Sequence, residues 1–253
     1  MNTLQASDEE FLGWLKNETE SRWKDYRTRT IEAYLDFLDD GYDWQAETRW
    51  RGGISEDQLN QIQEKWHIVF PAGYSRFLRT LHTVDRPLIG IMPFSEESGQ
   101  TFHIPWSKPP LFNWLADERE LADSFQWPLE HVFFANEYRD GWLPSWGPKP
   151  HTLEAQNERI RELVRNGPQL IPIADEKYLL IVNDEVGQPV VSINPTSVAL
   201  IARDWRFWLV LLCEKVLGIS YKTLNQHQWS NWKNGDWFEF YRTKIPFWGE
   251  MLS

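Results

Sequence analysis

Six histidines, one cysteine and an excess of carboxylates are the residues from which this chain could build a reactive centre. The histidines are His67, His82, His103, His131, His151 and His227. None sits in an HExxH pattern, and no Cys/His spacing suits zinc. Cys213 lies in WRFWLVLLCEKVLG with no histidine nearby to activate it, so a buried, inert thiol is expected. Acidic neighbours such as Glu96-Glu97 and Asp175-Glu176 usually point apart, and they receive no acid/base role. No G-x-S-x-G, phosphate loop or dinucleotide fingerprint occurs. The expectation is a protein without catalytic residues, metal or cofactor.

The remaining candidates concern binding. Glu32 to Glu47 carries Glu32, Asp36, Asp39, Asp40, Asp43 and Glu47 without an intervening Lys or Arg. Asp39, Asp40 and Asp43 around Gly41 superficially look like a calcium loop, but the EF-hand ligand order and its closing Glu are absent. A solvated face is the default reading, and a patch for a basic partner is the sharper one. The loop EYRDGWLPSWGPKP offers Tyr138, Trp142 and Trp146 as rigid aromatic surface, with Arg139 and Asp140 for polar specificity. Its prolines limit the entropy lost on ordering. The competing reading has these tryptophans plugging one edge of the core. FHIPWSKPP, residues 102–110, has similar character and could lie beside this loop. The expected partner-binding set is Asp39, Asp40, Asp43, Tyr138, Arg139, Trp142 and Trp146.

Composition narrows the classes. The 253 residues carry a formal charge of −11, which argues against a general nucleic-acid binder and is compatible with a basic protein partner. One cysteine excludes an intramolecular disulfide framework. Sixteen tryptophans is very high for this length; most are expected in a Trp-rich core or half-buried, and the rest could line a recognition surface. MNTLQASDEEFLGWLK has no positive region before an apolar core, and the longest apolar run, Phe207 to Cys213, is far short of a membrane span. A soluble cytoplasmic protein, not embedded in a membrane, is expected; oligomeric state is not legible.

The elements that must position these residues begin with helices. Ser7 can cap a helix carrying Phe11, Trp14 and Leu15, and Ile31, Tyr34, Leu35 and Leu38 form a second stripe ending at Gly41. Ser55 and Gln58 suit a capping box ahead of Leu59, Ile62 and Trp66. Pro71 opens the next helix, whose buried face is Tyr74, Phe77, Leu78 and Leu81. Residues 84–112, broken by prolines, suit short strands. A helix is expected over 111–125, a strand over His131 to Ala135, and a helix over 153–164. Strands follow over 170–173, 178–182 and 190–193, the last two as a hairpin, and then a core helix over 202–217. Gly52-Gly53 is read only as a turn. The fold expected is α+β, with a central, mostly antiparallel sheet flanked by helices. Residues 1–48 form an N-terminal helical extension, 49–218 the domain, and 219–253 an aromatic-rich tail packed on it.

Phe70, Pro71, Tyr74, Phe77 and Leu78, after the capped helix, resemble the "Leu-Pro, two residues, Tyr, two residues, Phe-Leu" run of the SUKH superfamily. That group includes the yeast Smi/Knr-type regulators of cell-wall glucan synthesis. Where the family often has Asn-Gly, this chain has His82-Thr83. A second stretch, WGPKP followed by a helix and residues 168–194, is similar to bacterial members, with Pro172, Pro189, Val190 and Ser192 matching. The resemblance spans roughly residues 50–217 and implies the same α+β architecture. It also implies a noncatalytic binding protein, as many bacterial members are immunity proteins that neutralise a polymorphic toxin, often a nuclease. The alternative it implies is a regulatory or scaffold protein in cell-wall synthesis.

Overall fold

The computed structural model describes residues 4, 6–27, 42–95, 101–182, 187–194, 197–220, 222–223 and 236–252. Asp39, Asp40, the stripe from Ile31 to Leu38 and the stop at Gly41 lie outside the described residues. The fold is α+β with antiparallel sheets and a helical N-terminal region. Two compact units emerge, Met1–Asn113 with Leu212–Ser220, and Trp114–Leu211 with Tyr221–Ser253. Among the described residues each unit holds one sheet, so the described strands fall in two sheets and not in a single central one. These units cut across the expected 49–218 partition.

The first unit begins with α1 (Asp8–Trp23). Ser7 and Glu10 satisfy each other's backbone donors there, Ser7 N donating to Glu10 Oε2 at 3.0 Å and Glu10 N to Ser7 Oγ at 3.3 Å. The same reciprocal cap, Ser55 with Gln58, opens α2 (Glu56–Trp66). Pro71 then precedes α3 (Ala72–Thr80), and Tyr74, Phe77, Leu78 and Leu81 are all buried as their spacing requires. Rings interlock from α1 to α3: Trp23–Trp44 centroids lie 4.8 Å apart, Trp23–Trp50 5.9 Å and Trp50–Phe77 6.2 Å. The buried donor of Trp50 is met by Thr19 Oγ1 at 2.8 Å.

Gly53 proves more than a turn residue. Ile54 N donates to Leu78 O at 2.9 Å, which draws the chain across the end of α3. A Cβ on Gly53 would stand 1.9 Å from the Arg79 carbonyl oxygen. Only glycine permits that approach. The unit's sheet joins β1 (Tyr42–Asp43), β2 (Leu88–Ser95) and β3 (Thr101–Lys108), all antiparallel, with Leu88 opposite Lys108 and Ser95 opposite Thr101.

In the second unit, α4 runs from Glu118 to Tyr138 with Pro128 inside it. The strand expected over His131 to Ala135 is therefore helix. Leu121, Pro128, His131, Val132 and Asn136 are its buried residues, a helical recurrence that overrides the local β preference of HVFFA. The sheet follows the order β4 (Leu170–Ala174), β5 (Lys177–Leu180), β6 (Val190–Asn194), β7 (Ser197–Ala202). The expected hairpin is β5–β6, with Tyr178 opposite Val191. Strand β7 was not anticipated, and the helix read from residue 202 is two: α6 (Trp205–Leu212) in line with Asp204, whose Oδ1 accepts from Phe207 N at 2.8 Å, and α7 (Glu214–Leu217), counted with the first unit. Helix α5 (Leu153–Asn166) takes its cap from Thr152. Described parts of the tail, α8 (Asp236–Lys244) and the turn Trp248–Met251, supply Tyr241, Ile245, Phe247, Trp248 and Leu252 to this unit's core. Leu252 bridges Val198 in parallel, covering the β7 edge. Among the described residues no helix is long and apolar enough to cross a membrane.

Candidate protein-binding surface

At the C-terminal end of α4, Phe134 and Tyr138 stand one helical turn apart and both face solvent, 41% and 66% exposed. Their centroids lie 5.0 Å apart, and the Arg139 guanidinium sits 5.7 Å from the Phe134 ring. Glu137, through a hydrogen bond and its charge, holds the Tyr138 phenol above its ordinary value, so the hydroxyl stays a neutral donor near neutral pH. The chain then turns sharply. Arg139 N and Gly141 N both donate to Ala135 O, at 3.1 and 3.0 Å, and Asp140 takes a φ of 51°. A Cβ on Gly141 would come within 2.8 Å of that carbonyl group.

The loop beyond is fixed from beneath. Trp146 N donates to Leu143 O at 3.0 Å in the turn Pro144–Trp146. The Trp146 ring stacks on Phe247 at 5.5 Å and meets Trp142 edge-on at 5.4 Å. Trp142, half-buried, donates through Nε1 to Gly147 O at 2.8 Å. Helix α5 clamps the same loop through Arg159 Nε to Trp146 O (3.3 Å) and Gln156 Nε2 to Pro150 O (2.7 Å). Gln156 Oε1 accepts from Asn136 Nδ2 at 2.9 Å, which ties the loop back to α4. The result is an exposed aromatic pair beside a positive charge, on a support already ordered. That arrangement suits protein contact, because little conformational entropy is left to lose on binding.

The expected binding residues therefore divide. Tyr138, Arg139 and Asp140 are exposed together, and Trp142 is partly so. Trp146 is a correction: it is 3% exposed, because Phe247 covers its face. Asp43 is a second correction. It is 1% exposed in the first unit, accepting the Tyr26 hydroxyl hydrogen bond and the Trp44 N–H at 3.0 Å, so it satisfies buried donors instead of meeting a partner. Residues 102–110, read as a neighbour of the loop, lie mainly in β3 of the first unit. Phe134 was missed. Its four-residue offset from Tyr138 marks a shared helix face, a signal hidden when 131–135 is read as strand.

Among the described residues, two histidines have shifted titration. Burial, with the Arg51 charge second, lowers His82 to about 4. Burial, then Arg139, lowers His131. Cys213 is fully buried, and burial pushes its thiol well up, which disfavours the nucleophilic thiolate. Among the described residues no group of three or more His, Cys, Asp or Glu is placed to hold a metal ion. Comparison of the chain with family models, with curated proteins and with solved structures finds no match.

Proposed function

We propose that this protein is a noncatalytic, cytoplasmic protein-binding module, an immunity protein that occludes a polymorphic toxin. The observation that carries this reading is the exposed Phe134–Tyr138–Arg139 group on its pinned support. Tyrosine and arginine are the side chains that most often dominate binding energy at protein interfaces. The charge of −11 favours a basic partner, and a nuclease is basic where it holds nucleic acid. The SUKH resemblance points the same way. His82, standing where that family often has asparagine, takes a φ of 58°, a left-handed conformation that asparagine adopts readily.

The test is capture from host lysate at low and moderate salt, followed by reconstitution with the purified captured protein. The reading requires a basic toxin domain that forms a defined complex and loses its activity on binding. Recovery of wall-synthesis enzymes that bind directly, with no toxin, would replace immunity with a regulatory role.

A further inference from the structure

Two adjoining concavities open on the second unit, away from the Tyr138 end of α4 along the chain. Both are bounded by Ser124 and Tyr178. The first, about 240 Å³, is walled by Phe125, Pro128, Leu129, Leu170 and Trp248, with Arg165 on its lining. The second, about 220 Å³, is walled by Trp127, Asp123, Asp175 and Glu176. Polar tips of the aromatic walls are tied down: Tyr178 donates to Ser124 O at 3.0 Å, Trp127 Nε1 to Ile193 O at 2.8 Å, and Trp248 Nε1 to Pro168 O at 3.1 Å. These bonds fix the ring positions before anything binds. Charge separates the two spaces. Burial first, then the charges of Glu176 and Asp175, raise the Tyr178 phenol, so the dividing wall lies in a negative field.

Each space is smaller than the roughly 300–1,000 Å³ typical of small-molecule sites. Each instead suits one side chain. Building on the protein-binding reading above, we infer that this groove receives an extended segment of the partner, an apolar side chain entering the Trp248 space and an adjacent lysine or arginine entering the Trp127 space. Three carboxylates complement the cation, and Trp127 lines the same space.

The experiment uses the full chain, isotope-labelled, with the indole N–H signals of Trp127 and Trp248 assigned through Trp127→Phe and Trp248→Phe. N-acetyl-Leu-Arg-amide is titrated against N-acetyl-Leu-Glu-amide and against arginine amide alone. The inference expects saturable shifts of both indoles with Leu-Arg. It expects binding weaker by about tenfold or more for Leu-Glu, for arginine amide, and for the Asp175→Asn/Glu176→Gln protein. No saturable shift, equal binding of Leu-Glu, or indifference to the neutralised carboxylates overturns it. Equal binding of arginine amide overturns it in favour of a small cationic ligand. If the dipeptide fails to bind while a reconstituted partner complex still depends on Tyr138, the groove alone is rejected and the protein-binding reading stands.

Discussion

The two units use the same aromatic currency of side chains to different ends. In the first, Trp23, Trp44, Trp50 and Phe77 meet ring to ring and all are buried. In the second, Trp146 and Phe247 stack in the core while Phe134 and Tyr138, a few residues away, are left in water. One aromatic cluster specifies a core, and the other builds a base that presents a surface. The lesson is that aromatic abundance alone does not locate a binding site; the buried partner of each ring does.

The sharpest break of that comparison is charge reversal. Asp43→Lys, in the first unit, would strip the acceptor from Tyr26 and Trp44 and bury an unmatched ammonium. A loss of about 3–5 kcal/mol is expected in urea unfolding. The matching change in the second unit, Asp140→Lys, breaks an exposed ion pair with Lys149 and places lysine at a φ of 51°, and it is expected to shift stability by no more than about 1 kcal/mol. Equal effects would erase the distinction between the units.

Gly53→Ala comes next. With the new methyl group driven into the Arg79 carbonyl, a loss of about 3 kcal/mol is expected from thermal or chemical unfolding. A neutral result would mean that the chain does not cross α3 so closely.

His82 gives a pH dependence with a definite sign. Its folded value is near 4, below the ordinary 6.5, so the unfolded chain takes up the proton first as pH falls. Stability from this group is complete above about pH 7 and declines as pH drops toward 4, by about 3 kcal/mol in all. His131 acts in the same direction. His82→Asn is expected to flatten the slope of unfolding free energy between pH 6.5 and 4, while tolerating the φ of 58°. An unchanged slope would place the acid sensitivity elsewhere.

Local signals were legible and distant ones were not. Ser55, Gln58 and Pro71 announce their helices because residues at a helix start act within a few positions, Pro71 standing just ahead of α3. The Tyr74–Leu81 stripe was readable for the same reason. The mistaken strand at 131–135 arose because five residues with β preference outweighed a helical face drawn over a much longer stretch. Trp146 and Tyr138 could not be separated by type or spacing. Their exposures differ because Phe247, far along the chain, covers one and nothing in the described core covers the other. Asp43 looked like a member of an acidic face, but the hydroxyl of Tyr26 and the pairing of β1 with β2 place it inside. Strand β7 was missed because its alternation is poor, with a register shift where it meets Val190 and Val191.

The smallest structural effect carries the largest functional meaning. Phe134→Ala/Tyr138→Ala removes two exposed rings, and the unfolding free energy is expected to stay within about 1 kcal/mol of the parent. The decisive measurement is the affinity of that variant for the purified partner, by calorimetry, beside its unfolding curve. The protein-binding account predicts a loss of at least about 2 kcal/mol in binding with stability retained. Undiminished binding by a fully folded variant would contradict it.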